Sequence, residues 1–431
     1  MSVNSKLFDY ISASPTAFHS AEHTAKVLSD KGYIQLFEGE KWSLEAGRGY
    51  FVSRNGSSLI SFRIPNDSPV GFMMTAAHSD SPTFKIKENP ELSNSRYTRL
   101  SVEKYGGMLC STWLDRPLSV AGRVTVKTDD GFKTMLVDME EFSAIIPNVA
   151  IHMNRKANDG MSYNPAVDML PLFGSDNEKG CFLKSIADKL GIEKDDIITT
   201  DLFVYNMEKG KEWGPFITAP RLDDLQCAFA ALEAFTDAPA GESVAVYCLF
   251  DNEEVGSRTK QGAASTFLYD ILSRINSCLG GSQEDLRVRI ANSFLISCDN
   301  AHAAHPNHPE FSDENHTAKM NGGIVIKYNA NQQYTTDAVS SAFFKLICEE
   351  ANVPSQSYAN RADMPGGSTL GNIANTQVSL NTVDIGLAQL AMHSALETAG
   401  AKDTEYLIKA LKVFYGKSII SKGDGSFTVR P

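Results

Sequence analysis

Residues 243–257 read SVAVYCLFDNEEVGS: a short, nearly continuous apolar run, then three acids, Asp251, Glu253 and Glu254, within four positions. An apolar run of this length, ended by polar residues, reads as a strand buried on both faces, as in the interior of a parallel sheet. Two adjacent glutamates where such a strand surfaces repel one another, and burying even one unpaired carboxylate is costly. A cation nearby resolves the conflict, so the stretch poses a search for other ligands.

Outward from this strand, the chain alternates strands and helices. APRLDDLQCAFAALEAF (219–235), ASTFLYDILSRI (264–275), AVSSAFFKLICEEANV (338–353) and TEYLIKALKVFYG (404–416) carry helical spacing, while SFLISCD (293–299) is a second apolar strand. This order predicts an α/β fold around a mostly parallel central sheet. Upstream, Ser14-Pro15 marks a helix start with Ala17, Ala21, Ala25 and Leu28 at helical spacing, and RGYFVSR, SSLISFRI and VGFMMTAAHSDSP read as strands. Between about Phe84 and Met207 the character changes to short β-like pieces and turns, with one helix in FLKSIADKLGIEKDDI. The expected organisation is a discontinuous domain, 1–84 and 208–431, interrupted by a β-rich domain at 85–207.

Composition narrows the function. The 431 residues carry a net charge of −12, which argues against a general nucleic-acid binder or a surface held by anionic lipid. No apolar run reaches the roughly 18 residues of a membrane helix, and the N-terminal MSVNSKLFDY lacks the features of a signal peptide. The seven cysteines are scattered and never form C-x-x-C, as in a reduced, cytoplasmic protein.

The ligand search is productive. His78 ends the apolar strand FMMTAAHSDSP with Asp80 two residues on; Asp223 opens a predicted helix; Asp299 ends SFLISCD; His393 lies in LAQLAMHSALE. In an open α/β sheet the ligand crevice lies outside the carboxyl ends of the strands, where three of these sites fall. Two histidines and three carboxylates suit a pair of divalent ions sharing one carboxylate, Zn²⁺ foremost and Mn²⁺ or Co²⁺ as alternatives. One glutamate of the 253–254 pair would then bind metal while the other acts on a water between the ions.

These motifs, from SPTAFHS through AHSDSP, IPNVAIHMNR, PRLDDL, FDNEEVGS, SCDNAHAAHPN and NGGIVIKYNANQQYTTDA to LAMHSALE, resemble the aspartyl aminopeptidase family over almost the whole chain. The resemblance implies a phosphorylase/hydrolase-like di-zinc peptidase domain with an inserted β-rich dimerisation domain, and dimers that build a closed dodecamer. It implies that Asp223 bridges two ions, that His78 and Glu254 each hold one, and that Asp299 and His393 complete the spheres. Glu253 would be the general base and Asp80 would orient His78. Lys327 would pair with an acidic substrate side chain, and His152 would reach into a neighbouring subunit's site to contact the substrate carbonyl. The substrate would be a peptide with a free N-terminus, preferentially Asp or Glu. Asp224 stands where this family more often has asparagine, which adds negative charge beside the metals. The same chemistry on neutral residues and a non-catalytic peptide-binding homologue are the competing readings.

Other signals read as less specific. His19 and His23 lack an accompanying acid and read as packing residues, and His302, His305 and His308 in AHAAHPNHP as a structural or substrate-facing loop. Gly366 and Gly367, in ADMPGGSTLG, suit a close backbone approach beside the substrate. The Gly416-Lys417-Ser418 triplet lacks the first glycine of a phosphate loop, and no G-x-S-x-G elbow occurs.

Overall fold

Side chains that point alternately to two covered faces build the central sheet. Along Phe72–His78 and Val244–Phe250 every residue is buried. Phe72, Met74, Val246 and Cys248 pack into one hydrophobic layer, and Met73, Ala77, Tyr247 and Leu249 into the opposite one. Each large apolar side chain so buried contributes about 1.5–3 kcal/mol, and two covered faces explain why these strands read as unbroken apolar runs. The computed structural model describes all residues except 94, 95, 142 and 176–179.

The sheet has nine strands and is mixed. Its centre is parallel: Val244–Phe250, Phe72–His78, Phe294–Cys298 and Asn381–Gly386 lie side by side with one direction. Antiparallel partners flank it at Ser58–Arg63 and Ile324–Tyr328. Register places Phe250 beside His78, so the loops after these strands emerge at one end of the sheet. Helices Val3–Ser12, Leu222–Asp237, Ala338–Glu350 and Asp403–Tyr415 cover one face, and Phe267–Cys278 and Gln283–Ala291 the other. The first long helix runs Ala17–Asp30 and is entered from extended Thr16 rather than from Ser14; Pro15, with no N–H, precedes it.

A second, six-stranded antiparallel sheet is built from residues between Thr83 and Asn206, ordered Gly131–Asp138, Leu118–Thr128, Ile197–Asn206, Thr83–Ser93, Tyr97–Tyr105, Leu172–Ser175. It has its own core of Phe84, Leu100, Trp113, Val124, Phe182 and Leu202, onto which helix Cys181–Leu190 packs. A small sheet containing Phe216–Ala219, Glu397–Gly400 and Ala388–Leu390 borders the Asp223 and His393 segments. All seven cysteines are free: four are buried, Cys110 and Cys181 are half-buried, and Cys278 is exposed. No helix among the described residues is long and apolar enough to cross a membrane.

Candidate metal centre

The carboxyl ends of three of the four central parallel strands converge on one acidic cluster. His78 is the last residue of its strand, Asp299 follows Cys298, and Glu253 and Glu254 form a helical turn just beyond Phe250. The turn is entered through Asn252 in the left-handed region (φ 60°), a conformation asparagine tolerates better than most residues. Asp223 sits at the distorted start of helix Leu222–Asp237. His393 stands between two strands of the small sheet, also left-handed at φ 66°.

The ligand atoms are close enough for metal. One each from His78, Asp223 and Glu254 lie within 4.8 Å of one another, as do one each from Asp223, Asp224 and Asp299. Asp223 is common to both groups. His393 Nε2 lies 3.4 Å from Asp223 Oδ2 and 3.4 Å from Glu254 Oε2, and His78 Nε2 lies 3.5 Å from Asp223 Oδ1. Asp223 Oδ1, Asp224 Oδ1 and Glu254 Oε1 are buried and lack a hydrogen-bond partner. Three orphaned carboxylate oxygens in one pocket are expensive in a protein interior, and a divalent cation is the partner that their chemistry and the two imidazoles fit.

Electrostatics agrees. Burial first, then the neighbouring carboxylates, pushes Glu254 well above the ordinary carboxylate range. Burial likewise pushes Glu253 up to about 8, with Asp299, Asp80 and Asp223 raising it further against the lowering effect of His78. Burial pushes the His78 imidazole down, but Asp223 and Asp80 outweigh it and raise it well above its usual value. These are the marks of a site that collects more negative charge than its own cations can neutralise.

Asp80 does more than orient His78. Its backbone carbonyl lies 3.0 Å from His78 Nδ1 and accepts its proton in the tautomer that leaves Nε2 free for metal. Its carboxylate accepts the backbone N–H groups of Glu253 and Glu254 at 3.1 Å each, and the Tyr105 hydroxyl at 2.7 Å. One buried aspartate therefore holds the histidine and the whole glutamate turn. Two contributors escaped the sequence reading. Glu397, buried, accepts the backbone N–H of Asp223 at 3.0 Å and of His393 at 2.8 Å, pinning two distant ligands together. Tyr105 brings the antiparallel sheet into the site. Gly106 beside it, at φ 75°, approaches so closely that a methyl added to its Cα would sit 3.1 Å from Glu254 Cβ. Glu397 ends the stretch that holds His393, four residues on, so its acid was visible, but its backbone partners were not.

Lys327, buried on strand Ile324–Tyr328, places Nζ 3.7 Å from Asp299 Oδ1. Burial lowers its pKa, but Asp299, Tyr334, Asp384 and Asp223 raise it above the free value. Gly366 and Gly367 lie in the loop between strand Ser355–Ala359 and helix Leu370–Ala374, where a side chain at 366 would meet Asn360 at 2.7 Å. His152 does not join the cluster within one chain: it is exposed, in a turn of the 147–168 segment. His305 and His308 are exposed with rings 5.3 Å apart, and His308 pairs with Glu310 at 3.0 Å. His19 pairs with Thr16 at 2.8 Å and His23 packs edge-on to Tyr10.

Comparison with known proteins follows this geometry. The family described as aminopeptidase I zinc metalloprotease (M18) matches residues 10–415. A probable M18 family aminopeptidase 2 of Clostridium novyi is 45% identical over 422 residues, covering 95% of this chain and 98% of that protein. Its namesake in Pseudomonas aeruginosa is 40% identical over 427 residues, covering 96% and 98%. Among solved structures, a chain of the Ape4 and Nbr1 complex superposes with TM-score 0.93 at 35% identity, covering 96% of this chain and 85% of that one. The S. cerevisiae mApe1 dodecamer gives 0.84 at 28%, covering 96% of each. With a paired-imidazole, multi-carboxylate centre at the strand ends and a match over nearly its full length, the chain belongs to the M18 family of zinc aminopeptidases.

Proposed function

We propose that the enzyme holds two divalent ions, Zn²⁺ foremost and Mn²⁺ or Co²⁺ as alternatives, and removes N-terminal Asp or Glu from peptides. Asp223 would be shared between the ions, with His78, Glu254, Asp299 and His393 completing the two spheres. Such ions, when bound, supply Lewis acidity that polarises a scissile carbonyl and acidifies water. The chain's own residues do the rest. Glu253 takes a proton from the attacking water and passes it to the departing amine. Its backbone is fixed by Asp80, so the carboxylate is delivered in one place.

The observation that carries the acidic preference is Lys327: a buried ammonium beside Asp299 at 3.7 Å, at the edge of the metal cluster. A buried cation whose only ion-pair partner among the described residues is a metal ligand is matched by a substrate carboxylate. Lys327→Met is expected to lower kcat/KM on N-terminal Asp peptides on the order of 10- to 100-fold, and to leave N-terminal Ala or Leu peptides nearly unchanged. Equal loss on all substrates would assign Lys327 to balancing Asp299 and favour the neutral-residue reading. No hydrolysis of any peptide by metal-replete wild type would leave the non-catalytic reading.

The same reading makes the enzyme a cytoplasmic homo-oligomer of dimers assembling to a dodecamer, without nucleic-acid or membrane partners. Support comes from the 147–168 segment, where Val149, Ile151, Met153 and Val167 are 51%, 46%, 84% and 64% exposed, more apolar surface than a short loop normally leaves in water. Domain bounds of 1–84 with 208–431, and 85–207, suit this division of labour, with His152 supplied from the second region to a neighbour's site.

A further inference from the structure

The fourth central parallel strand, Asn381–Gly386, has no candidate metal ligand at its end, yet it carries a buried acid. Asp384 is 0% exposed, and among the described residues no cation lies within ion-pair distance of it. A carboxylate so placed is costly unless hydrogen bonds replace its lost water. Two loops supply them. Thr335 donates its backbone N–H at 2.5 Å and its hydroxyl at 2.7 Å to Oδ2, and the Thr369 hydroxyl donates to Oδ1 at 2.6 Å. The Asp384 N–H in turn donates to the Thr336 hydroxyl at 2.9 Å. Gly371 completes the fit, since a methyl on its Cα would sit 2.6 Å from Oδ1 and 2.9 Å from the Thr335 hydroxyl oxygen. One residue thus ties the 329–337 loop to the 360–369 loop, which carries Gly366 and Gly367.

The same strand runs beside Lys327. Ile324–Tyr328 and Asn381–Gly386 are antiparallel, with Val325 opposite Gly386 and Ile326 opposite Ile385. Carried one residue further, that register sets Asp384 across from Lys327. Ile326 and Ile385 share the core on one face, so Lys327 and Asp384 share the other, where such neighbours lie about 4.5–5.5 Å apart at Cβ. The ammonium nevertheless ends beside Asp299, at 3.7 Å, and not on Asp384. The Tyr334 ring lies 5.4 Å from the same Nζ, and Tyr334 is followed directly by Thr335 and Thr336, the residues that Asp384 holds.

We infer that Asp384 is a positioning residue for recognition of the substrate's N-terminal side chain: its hydrogen bonds fix the two loops around Lys327 and hold its own charge off the ammonium. Were its oxygens free, the opposite charge across the strands would draw Lys327 away from the metal cluster. With three donors in place the acid is satisfied where it stands, and Nζ stays beside Asp299. The inference rests on the reading of Lys327 as partner of an acidic side chain, and adds what keeps that lysine available. The role belongs to the hydrogen bonds, and an amide of the same shape can keep them. Its oxygen would accept both Thr335 donors, and its nitrogen would donate to the Thr369 hydroxyl, which can turn to accept.

The test compares KM and kcat of the metal-loaded enzyme on N-terminal Asp and N-terminal Ala peptides. Asp384→Ala is expected to raise KM on the Asp peptide about tenfold, with kcat and the KM for the Ala peptide within about twofold of wild type. Amide hydrogen exchange in 329–337 and 360–369 should quicken about tenfold in the same variant. Asp384→Asn should return both KM and exchange to near wild type. Thr369→Val, which breaks one bond and leaves the strand intact, should raise KM on the Asp peptide about threefold, and decides the matter if Asp384→Ala does not fold. Unchanged KM in the folded variants, a fall in kcat alone, or an Asn variant as impaired as the Ala one would overturn the role. Equal loss on both peptides in Lys327→Met, or no hydrolysis by wild type, would sink the acidic reading and this inference with it. Selective loss in Lys327→Met with unchanged KM in Asp384→Ala would sink this inference alone.

Discussion

The metal cluster and the 147–168 segment hold their histidines in opposite ways. His78 is 1% exposed and lies at the end of a fully buried strand; His152 stands exposed in irregular chain, with apolar neighbours turned to solvent. His78, Glu253, Glu254, Asp223 and His393 are held within the subunit by Asp80, Glu397 and the strand register. If His152 serves a neighbouring subunit, as proposed above, its position depends on that contact. A site built from both would be preorganised in its ligands and conditional in its completion.

The largest expected effect breaks the autonomous half. Glu253→Gln keeps the shape of the side chain but cannot accept a proton, and should lower kcat about 10²–10⁴-fold with metal content unchanged by elemental analysis. Near wild-type turnover in the metal-replete variant would remove Glu253 from the base role.

The conditional half is tested next. If His152 stabilises charge on a neighbour's substrate carbonyl, His152→Phe should cost on the order of 10²-fold in kcat with no loss of metal. Mixing it with Glu253→Gln subunits, under conditions where subunits exchange, should restore part of the activity, because some hybrid sites then hold both intact groups. Demonstrated exchange with no recovery would place His152 outside its neighbour's site.

Tyr105 sharpens the comparison, since it belongs to the antiparallel sheet yet serves its own subunit. Tyr105→Phe removes the 2.7 Å bond to Asp80 and the 2.8 Å bond from Asn252. As a positioning residue it should lower kcat roughly tenfold while KM and metal content hold. A rise in KM alone would mean that Tyr105 contacts substrate.

The smallest effect concerns the protein stripped of metal. Burial, reinforced by Asp223, pushes Glu397 from 4.5 up to about 8, and burial with Asp80 pushes Asp251 from 3.8 up to about 7. Both folded values exceed the unfolded ones. The stability they contribute is therefore fully present below the unfolded values and lost as pH rises through about 7 to 8. Chelated protein should melt a few °C lower at about pH 8 than at about pH 5, and Glu397→Gln should flatten that slope. An unchanged slope in the variant would discount Glu397 as its source.

Much of this was written in the one-dimensional pattern. Fully apolar strands ending in His78, Glu253–Glu254 and Asp299 announced both a buried parallel sheet and a charged crevice at its carboxyl end, because a strand covered on two faces admits polar groups only where it surfaces. The change of texture between about Phe84 and Met207 announced a β-rich region, where the structure builds its antiparallel sheet. What the sequence could not announce were contacts closed across long separations by backbone groups. That Asp80 holds the N–H groups of residues 253 and 254, and Glu397 those of 223 and 393, depends on where main-chain donors point, which no residue type encodes. The antiparallel flanks at Ser58–Arg63 and Ile324–Tyr328 were equally hidden, since a strand buried on both faces reads the same in either direction. Residue chemistry fixed which side chains want a cation; only the folded chain, by choosing the partners of their backbones, decided that they meet.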